Sequence, residues 1–235
     1  MIVSLVLCPI QFGLFFGDNV IPKKLHIVWV GDESKRPDNC IDTWRTYNPD
    51  WDIKVWGNAA LTGTRWRNAR HMQDMWGQEL SGVADMMRYE ILYEHGGFAV
   101  DADSVCVKPI PDWMLEANDF TCWENEHERP GLLAAGYLAA QKGSNFIGQV
   151  IEDIYHDPTV INRMAWQSVG PQRLTDVWKE HQYGLTVYPS HYFIPRHYTG
   201  LEYKGDGHIF AKQFWGSTHG IYDSLYMVEA IEEKE

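Results

Sequence analysis

The sequence has no block of lysine or arginine, and its acidic residues outnumber its basic ones. The 235 residues include 20 Lys and Arg against 32 Asp and Glu, which gives a net charge of −12 and a pI near 5.2. Binding to nucleic acid or to an anionic membrane surface is therefore disfavoured, because both depend on clustered positive charge. We expect neither as a partner.

Cysteine is also scarce, and the four that are present form no recognisable pattern. Cys8, Cys40, Cys106 and Cys122 include no C-x-x-C pair and lack the spacing of a zinc site. Separate reduced thiols are favoured over disulfides, since secreted disulfide frameworks are richer in cysteine. We therefore expect a cytoplasmic protein, with disulfides as the less favoured alternative.

The start of the chain lacks the features of a leader peptide or a membrane span. Residues 1–17 are apolar, but the segment is short, has no basic n-region and is interrupted by Pro9. We expect no stable membrane span, and we treat 1–20 as an extension of unclear role before a domain over 21–235. The sequence also lacks repeats and the phosphate-loop, H-E-x-x-H and G-x-S-x-G motifs.

Strands and helices alternate along the rest of the sequence, which predicts an α/β domain with a mostly parallel central sheet. The run 25–30 is almost entirely apolar, as in a strand that is buried on both faces. A helix is predicted over 37–47 and a second strand over 51–56. The segment 57–77 is predicted to be a solvated loop, with a less favoured alternative in which its arginines contact an acceptor or a phosphate.

The most informative stretch, 81–103, predicts a helix, a stop and a strand. Ser81 is a suitable N-cap, and 83–95 contains neither proline nor glycine. Gly96-Gly97 can end the helix because glycine adopts the left-handed conformation without steric cost. Phe98-Ala99-Val100 is then predicted to enter the core as a strand.

Four charged residues in this stretch are candidates for chemistry. Asp85 and Arg88 are three apart on the predicted helix and share a face. Asp101 and Asp103 are two apart on an extended chain, so their carboxylates point the same way. Hard oxygen ligands of this kind suit Mg²⁺ or Mn²⁺, which commonly bridge a nucleotide diphosphate. A second Asp-x-Asp, at 50–52, is interpreted as a solvated turn before a strand.

Together, the Asp-x-x-Arg-Tyr helix, the Gly-Gly stop and the Asp-x-Asp strand end resemble a known family. The sequence is similar to the DXD-containing glycosyltransferases of family 32, which include yeast initiating mannosyltransferases and bacterial capsular enzymes. It is more distantly similar to the glucosylating domain of large clostridial toxins. The resemblance covers Ile21 to Asp103 well and the remainder loosely. It implies a GT-A fold and a retaining transfer of a hexose from a nucleotide-sugar to a glycan or other hydroxyl acceptor, with Mn²⁺ or Mg²⁺ as cofactor. A UDP-sugar is the favoured donor, and GDP-mannose is possible.

The resemblance also implies roles for individual residues. The catalytic residues that it implies are Asp85, Arg88, Asp101 and Asp103, and the metal ligands that it implies are Asp101, Asp103 and Ser217. The donor-binding residues that it implies are Val28, Trp29, Val30, Tyr89, Ala102, Gly170, Pro171, Trp215 and Ser217. Trp29 would stack on the nucleobase, although the pattern alone fits an ordinary core residue equally well. His191 and His197 are predicted to be packing or acceptor-side residues.

A segment near the C-terminus is predicted to act as a lid. In the family such a segment usually carries Ser-Trp and folds over the diphosphate, and here Ser217 matches the serine while Thr218 stands in place of the tryptophan. Gly216 is expected to supply the backbone freedom that a lid needs. The alternative is a final strand or turn that packs Phe214 and Trp215 on the core.

Two other functions compete with transfer. A sugar-nucleotide nucleotidyltransferase would typically need a glycine-rich basic loop after the first strand, and residues 31–36 are acidic and poor in glycine. A non-catalytic carbohydrate-binding module could use the many aromatic rings. The intact set of Asp85, Arg88, Asp101 and Asp103 argues against that second alternative.

Overall fold

The computed structural model describes residues 20–225 and is built around a six-stranded sheet. The strands, in chain order, are β1 Lys24–Val28, β2 Asp52–Trp56, β3 Gly97–Val100, β4 Ser104–Cys106, β5 Asp119–Asn125, β6 Arg129–Ala140, β7 Thr186–Tyr188 and β8 Ala211–Gln213. The helices are α1 Asp38–Tyr47, α2 Asn58–Gly63, α3 Ala69–Trp76, α4 Leu80–His95, α5 Asp112–Leu115, α6 Asn145–His156, α7 Ala165–Ser168, α8 Pro171–His181, α9 Gly216–His219 and α10 Tyr222–Leu225. Single 3₁₀ turns lie at Glu33–Lys35, Val160–Asn162 and Ser190–Tyr192.

The strand order of the main sheet is β2-β1-β3-β6-β5-β7. β6 is antiparallel to both of its neighbours, whereas the other pairings are parallel. The expected mostly parallel α/β sheet is therefore confirmed. Because β1, β3 and β5 run the same way, their carboxyl ends meet at one edge, where ligands bind in open α/β sheets. A second sheet pairs β4 with β8 in antiparallel fashion.

Hydrophobic cores cover both faces of the main sheet, as its buried central strand requires. On β3, Phe98 and Val100 belong to one core, and Ala99, which lies between them, belongs to the other. α4, α6 and α8 pack together on the second of these faces. This arrangement fixes the position and direction of β3, and so of the two aspartates that follow it.

The predicted helix, stop and strand are present, but the helix begins one residue before Ser81. Glu79 is the N-cap residue of α4, and Ser81 is exposed within the first turn, so its predicted capping role is wrong. Gly82 lies within the helix, and a β carbon there would overlap the Met75 sulfur, so the close packing of α3 on α4 requires glycine at this position. Gly96 ends the helix with φ of 62°, as the Gly-Gly stop predicts.

The prediction of an irregular loop over 57–77 is also wrong, since this segment contains α2 and α3. α3 buries Met72 and Met75, and their spacing of three residues is a helical signal in a largely polar segment. Arg67 makes a bidentate ion pair with Glu152.

The N-terminal segment 1–19 lies outside the described residues, and so does Cys8. Cys40, Cys106 and Cys122 are buried free thiols. Over residues 20–225, no helix combines the length and the apolar character that crossing a bilayer requires.

A buried histidine fastens β1 to the turn that precedes β3. The side chain of His26 is 3% exposed, and its Nε2 lies 2.9 Å from the carbonyl oxygen of Gly96. The Nδ1 atom accepts a hydrogen bond of 3.2 Å from Trp56 Nε1, which leaves Nε2 as the protonated nitrogen. Burial lowers the pKa of His26 to about 4, so the imidazole is neutral at physiological pH.

We predict that this histidine destabilises the fold on acidification. A histidine whose pKa is lowered in the folded state contributes stability above its unfolded pKa of about 6.5, and this stability is lost as the pH falls towards 4. Between pH 7 and pH 5, the wild type should lose about 2 kcal/mol more unfolding free energy than His26→Gln, measured by urea titration. Parallel pH curves for the two proteins would contradict this assignment.

Candidate active site

The Asp-x-Asp pair lies directly after the carboxyl end of β3. The Asp101 amide donates to the carbonyl of Gly136 at 3.0 Å, which continues the pairing with β6 by one residue. The Asp101 side chain is 31% exposed, whereas Asp103 is buried. One carboxylate therefore faces an open space, and the other is enclosed beside it.

Arg88 on α4 is buried, and its guanidinium binds the carboxylates of Asp85 and Asp101. Its Nη1 donates to Asp85 Oδ1 at 2.6 Å and to the carbonyl of Ala135 at 2.7 Å, while Nη2 donates to Asp101. The shared face predicted for Asp85 and Arg88 is confirmed. The Arg88 side chain is only 5% exposed, however, so this is a buried ion pair that joins α4, β6 and the turn after β3.

Keeping negative charges at this edge of the sheet costs free energy in the folded protein. Burial raises the pKa of Asp85 to about 7, although Arg88 acts in the opposite direction. Burial and the neighbouring Asp101 charge raise the pKa of Asp103 to about 7. A divalent cation would offset this repulsion, and carboxylate oxygens are the ligands that Mn²⁺ and Mg²⁺ prefer. The residues present therefore fit such an ion.

Gln213, which the sequence analysis did not identify, connects the two aspartates. Its Nε2 donates to Asp101 Oδ2 at 3.2 Å and to Asp103 Oδ1 at 3.1 Å. Its Oε1 accepts a hydrogen bond of 2.8 Å from the Tyr137 hydroxyl. No local motif signals this residue, because its aspartate partners lie 112 and 110 positions away in the chain.

The predicted lid segment contacts Asp103 directly. The Phe214 amide donates to the Asp103 carbonyl at 3.0 Å, and the Gly216 amide donates to Asp103 Oδ2 at 2.5 Å. The left-handed residue of this segment is Trp215, with φ of 58°, rather than Gly216, and the backbone freedom expected of Gly216 stays a prediction. The Ser217 hydroxyl bonds the Tyr222 hydroxyl at 2.8 Å, and its role as a metal ligand stays a prediction.

An open cavity of about 720 Å³ brings most of the predicted site residues together. The residues from the prediction that line it are Val28, Trp29, Val30, Asp85, Arg88, Asp101, Ala102, Asp103, Pro171, Trp215 and Ser217. Tyr89, on α4, does not line it, because its side chain is wholly buried in the core. Gly170 lies behind Asp85, where a β carbon would come within 2.9 Å of Oδ2.

Trp29 lies at the cavity wall rather than inside the core. Its side chain is half-buried, and its Nε1 donates to the Asp32 carbonyl at 3.0 Å. The ring meets Tyr222 edge-on at a centroid distance of 5.0 Å. By contrast, Arg65 and Arg67, from the segment 57–77 for which an acceptor or phosphate contact is the less favoured alternative, line a different cavity.

Comparison with known proteins agrees with this site. Residues 34–120 match a family model described as a glycosyltransferase sugar-binding region containing a DXD motif, and this region includes Asp85, Arg88, Asp101 and Asp103. The predicted resemblance to the DXD-containing glycosyltransferases is confirmed. Asp101-Ala102-Asp103 is the copy of the motif that lies in the cavity, whereas Asp50 is exposed and paired with Lys23.

Two curated relatives are similar over part of their length. The chain is 26% identical over 171 residues to inositol phosphoceramide mannosyltransferase 3 of Schizosaccharomyces pombe, over 68% of this chain and 42% of that protein. It is 22% identical over 160 residues to Subversion of eukaryotic traffic protein A of Legionella pneumophila, over 57% of this chain and 25% of that protein. The chain thus spans less than half the length of either relative.

The fold is similar to that of a solved glycosyltransferase. The PaToxG glycosyltransferase superposes with a TM-score of 0.55 over 69% of each chain, at 14% sequence identity. This confirms the expected GT-A fold, in which a mostly parallel sheet carries the DXD motif at its edge.

We predict that Arg88 is required for stability as well as for the site. Arg88→Ala should lower the free energy of unfolding by about 3–5 kcal/mol, because it leaves the largely buried Asp85 carboxylate without its cationic partner. The matched control is Arg45→Ala. Arg45 pairs with Asp42 at the same i,i+3 spacing on α1, but both side chains are exposed, so its loss should cost under about 1 kcal/mol. Equal losses of unfolding free energy in the two variants, measured by chemical denaturation, would show that the buried Arg88 pair stabilises the fold no more than the exposed Arg45 pair.

Proposed function

We propose that this protein is a metal-dependent glycosyltransferase that moves a hexose from a nucleotide-sugar to a hydroxyl group of an acceptor. The observation that carries the proposal is the position of Asp101 and Asp103. They lie at the carboxyl end of β3, in a large cavity, next to the buried Asp85–Arg88 pair. A UDP-sugar is the favoured donor, with GDP-mannose as the alternative, and both come from the family resemblance.

In this proposal Asp101 and Asp103 hold a divalent cation, Mn²⁺ or Mg²⁺, and Ser217 is the candidate third ligand. The ion would supply positive charge that binds the diphosphate and stabilises the charge that develops on the leaving group. Arg88 sets the orientation of Asp101 through the ion pair between them. The metal dependence, the identity of the ion and the role of Ser217 all belong to the proposal.

Asp85 is better placed than Arg88 to receive donor-sugar hydroxyls. The Asp85 side chain is 13% exposed against 5% for Arg88, and a carboxylate forms strong hydrogen bonds with hydroxyl donors. Arg88 already donates to Asp85, Asp101 and the Ala135 carbonyl, so it acts chiefly by holding both acids in place. This division of labour refines the shared role that the sequence predicts for the pair.

The proposed reaction exchanges one bond at the anomeric carbon of the sugar. The bond from this carbon to the diphosphate oxygen breaks, and the oxygen of the acceptor hydroxyl forms the new bond. In a front-face transfer, which the family resemblance implies, the released phosphate oxygen takes the hydroxyl proton and configuration is retained. Such a transfer needs no nucleophile from the protein.

The two alternative functions have less support. The loop after β1 is Gly31-Asp32-Glu33-Ser34-Lys35-Arg36, and Glu33–Lys35 forms a 3₁₀ turn rather than a glycine-rich cradle for phosphates. A binding module would not need two buried acids with raised pKa values beside a third carboxylate. The cytoplasmic location and the domain bounds of 21–235 stay predictions.

We predict that the Asp-x-Asp pair is required for metal binding and for transfer. Asp101→Asn and Asp103→Asn should each reduce nucleotide-sugar cleavage by about 100-fold or more, as expected for loss of transition-state charge stabilisation. Mn²⁺ binding, measured by calorimetry in the presence of UDP, should be lost in parallel. Asp50→Asn changes the other Asp-x-Asp copy and is the matched control. Undiminished cleavage by Asp103→Asn, or cleavage in excess EDTA, would refute metal dependence.

A further prediction concerns the base. If Trp29 stacks on the nucleobase of the donor, Trp29→Ala should weaken UDP binding by about 1–3 kcal/mol, as in other base–aromatic contacts. A core role instead predicts a stability loss of about 3–5 kcal/mol with little change in affinity. Trp76→Ala, which removes a tryptophan that is 40% exposed and lies outside the cavity, is the control. Calorimetric titration with UDP and the unfolding midpoint together separate the two roles.

A further inference from the structure

The carboxyl ends of β1, β3 and β5 follow one another along the edge of the sheet that forms the cavity. Trp29 follows β1, Asp101 follows β3, and Glu124 lies near the end of β5, and all three line the cavity. β6 separates β3 from β5. Neighbouring strands are about 4.8 Å apart, so β5 lies about 10 Å beyond β3. The three residues thus mark successive positions across the site.

In the proposed function, a nucleotide-sugar lies along this order of residues. With its base at Trp29 and its diphosphate at Asp101, its sugar extends over β6. There the cavity wall consists of Ala135 and Gly136, which have no bulky side chains. A β carbon at Gly136 would overlap the Asp101 carboxylate, so this position admits only glycine while Asp101 stays in place. The next strand, β5, therefore borders the space that the acceptor must enter.

Glu124 is a buried carboxylate in the wall of that space. It is 6% exposed, and its Oε1 lies 3.5 Å from Arg129 Nη1 and 3.5 Å from His197 Nε2. Burial raises its pKa, and Arg129 acts in the opposite direction. Both of these contacts go to the Oε1 atom of a residue that lines the cavity. A buried acid is costly to maintain, so its position at a cavity wall calls for an explanation.

An aromatic ring and a cation complete the group. Arg129 lies over the ring of Trp166, with its guanidinium carbon 4.5 Å from the ring centroid. Both residues line the cavity, and Trp166 is half-buried on α7. Binding sites for small polar molecules typically combine an aromatic wall with a few well-placed polar groups. A sugar ring has the matching chemistry, since it presents both a C–H face and several hydroxyls.

We propose that Glu124, Arg129 and Trp166 form the acceptor subsite and that the acceptor is a saccharide. Glu124 accepts a hydrogen bond from an acceptor hydroxyl, Arg129 donates to a second oxygen, and the Trp166 ring covers the C–H face of the sugar. His197, which is wholly buried, holds the Glu124 carboxylate from behind. The inference rests on the proposed glycosyl transfer, because it names the second substrate of the same reaction.

The test separates transfer from hydrolysis of the donor. The purified protein is incubated with Mn²⁺, with UDP-hexoses or GDP-mannose, and with a panel of aryl hexosides. Free nucleotide and extended aryl glycoside are both quantified. In Glu124→Gln and in Trp166→Ala, transfer to the aryl hexoside should fall about 10- to 100-fold, as for loss of a hydrogen bond to a charged group or of an aromatic contact. Donor hydrolysis and UDP affinity should stay within about twofold of wild type, because the donor residues are untouched.

Glu128→Gln is the matched control, because Glu128 is exposed on the turn between β5 and β6 and lies outside the cavity lining. It should leave both rates unchanged. Equal losses of transfer and hydrolysis in Glu124→Gln would place this acid at the donor, and unchanged transfer in both variants would remove it from the site. Either result overturns the inference. Hydrolysis by the wild type without transfer to any hexoside would also overturn it while leaving the proposed function intact. Absence of both UDP binding and donor cleavage would instead refute the proposed function itself.

Discussion

The buried guanidinium of Arg88 is the contact on which the rest of the site depends. It binds Asp85 within its own helix, the Ala135 carbonyl on β6 and the Asp101 carboxylate after β3. These groups come from three separate elements, so no one of them can shift without leaving a buried polar group unpaired. The helix α4 therefore positions the edge of the sheet that carries Asp101 and Asp103, and Arg88 links the stability of the fold to the geometry of this pair.

Close packing around this ion pair explains why small residues border the two acids. At Gly136 a β carbon would overlap the Asp101 carboxylate, and at Gly170 it would lie 2.9 Å from Asp85 Oδ2. The predicted donor role of Gly170 thus has a second explanation, since the residue also makes room for Asp85. Gly136, together with Ala135, also leaves open the space above β6. The absence of a side chain at Gly136 therefore both makes room for the Asp101 carboxylate and keeps the cavity open.

The sequence predicts contacts between residues that are close in the chain, but it does not predict contacts between residues that are far apart in the chain. Asp85 and Arg88 lie on one helix, so helical spacing is enough to predict that they share a face. The predicted extended chain from Asp101 to Asp103 is wrong, because 102–103 form a turn, and the two carboxylates are instead connected by Gln213. Gln213 reaches the aspartates only through the pairing of β4 with β8, and Glu124 enters the cavity because β6 turns back along β5. Single-sequence periodicity contains no information about either pairing.

The C-terminal segment and the aspartate pair form one unit, which constrains any lid motion. Asp103 accepts hydrogen bonds from the Gly216 amide and from Gln213, and its carbonyl accepts one from Phe214. Opening the segment would remove these donors from a buried acid whose pKa is already raised by burial and by Asp101. Removal of donors from an ionised carboxylate raises its energy further unless another positive group replaces them. The cation proposed at the pair would act on this same carboxylate, so the segment and the proposed ion would both stabilise its charge.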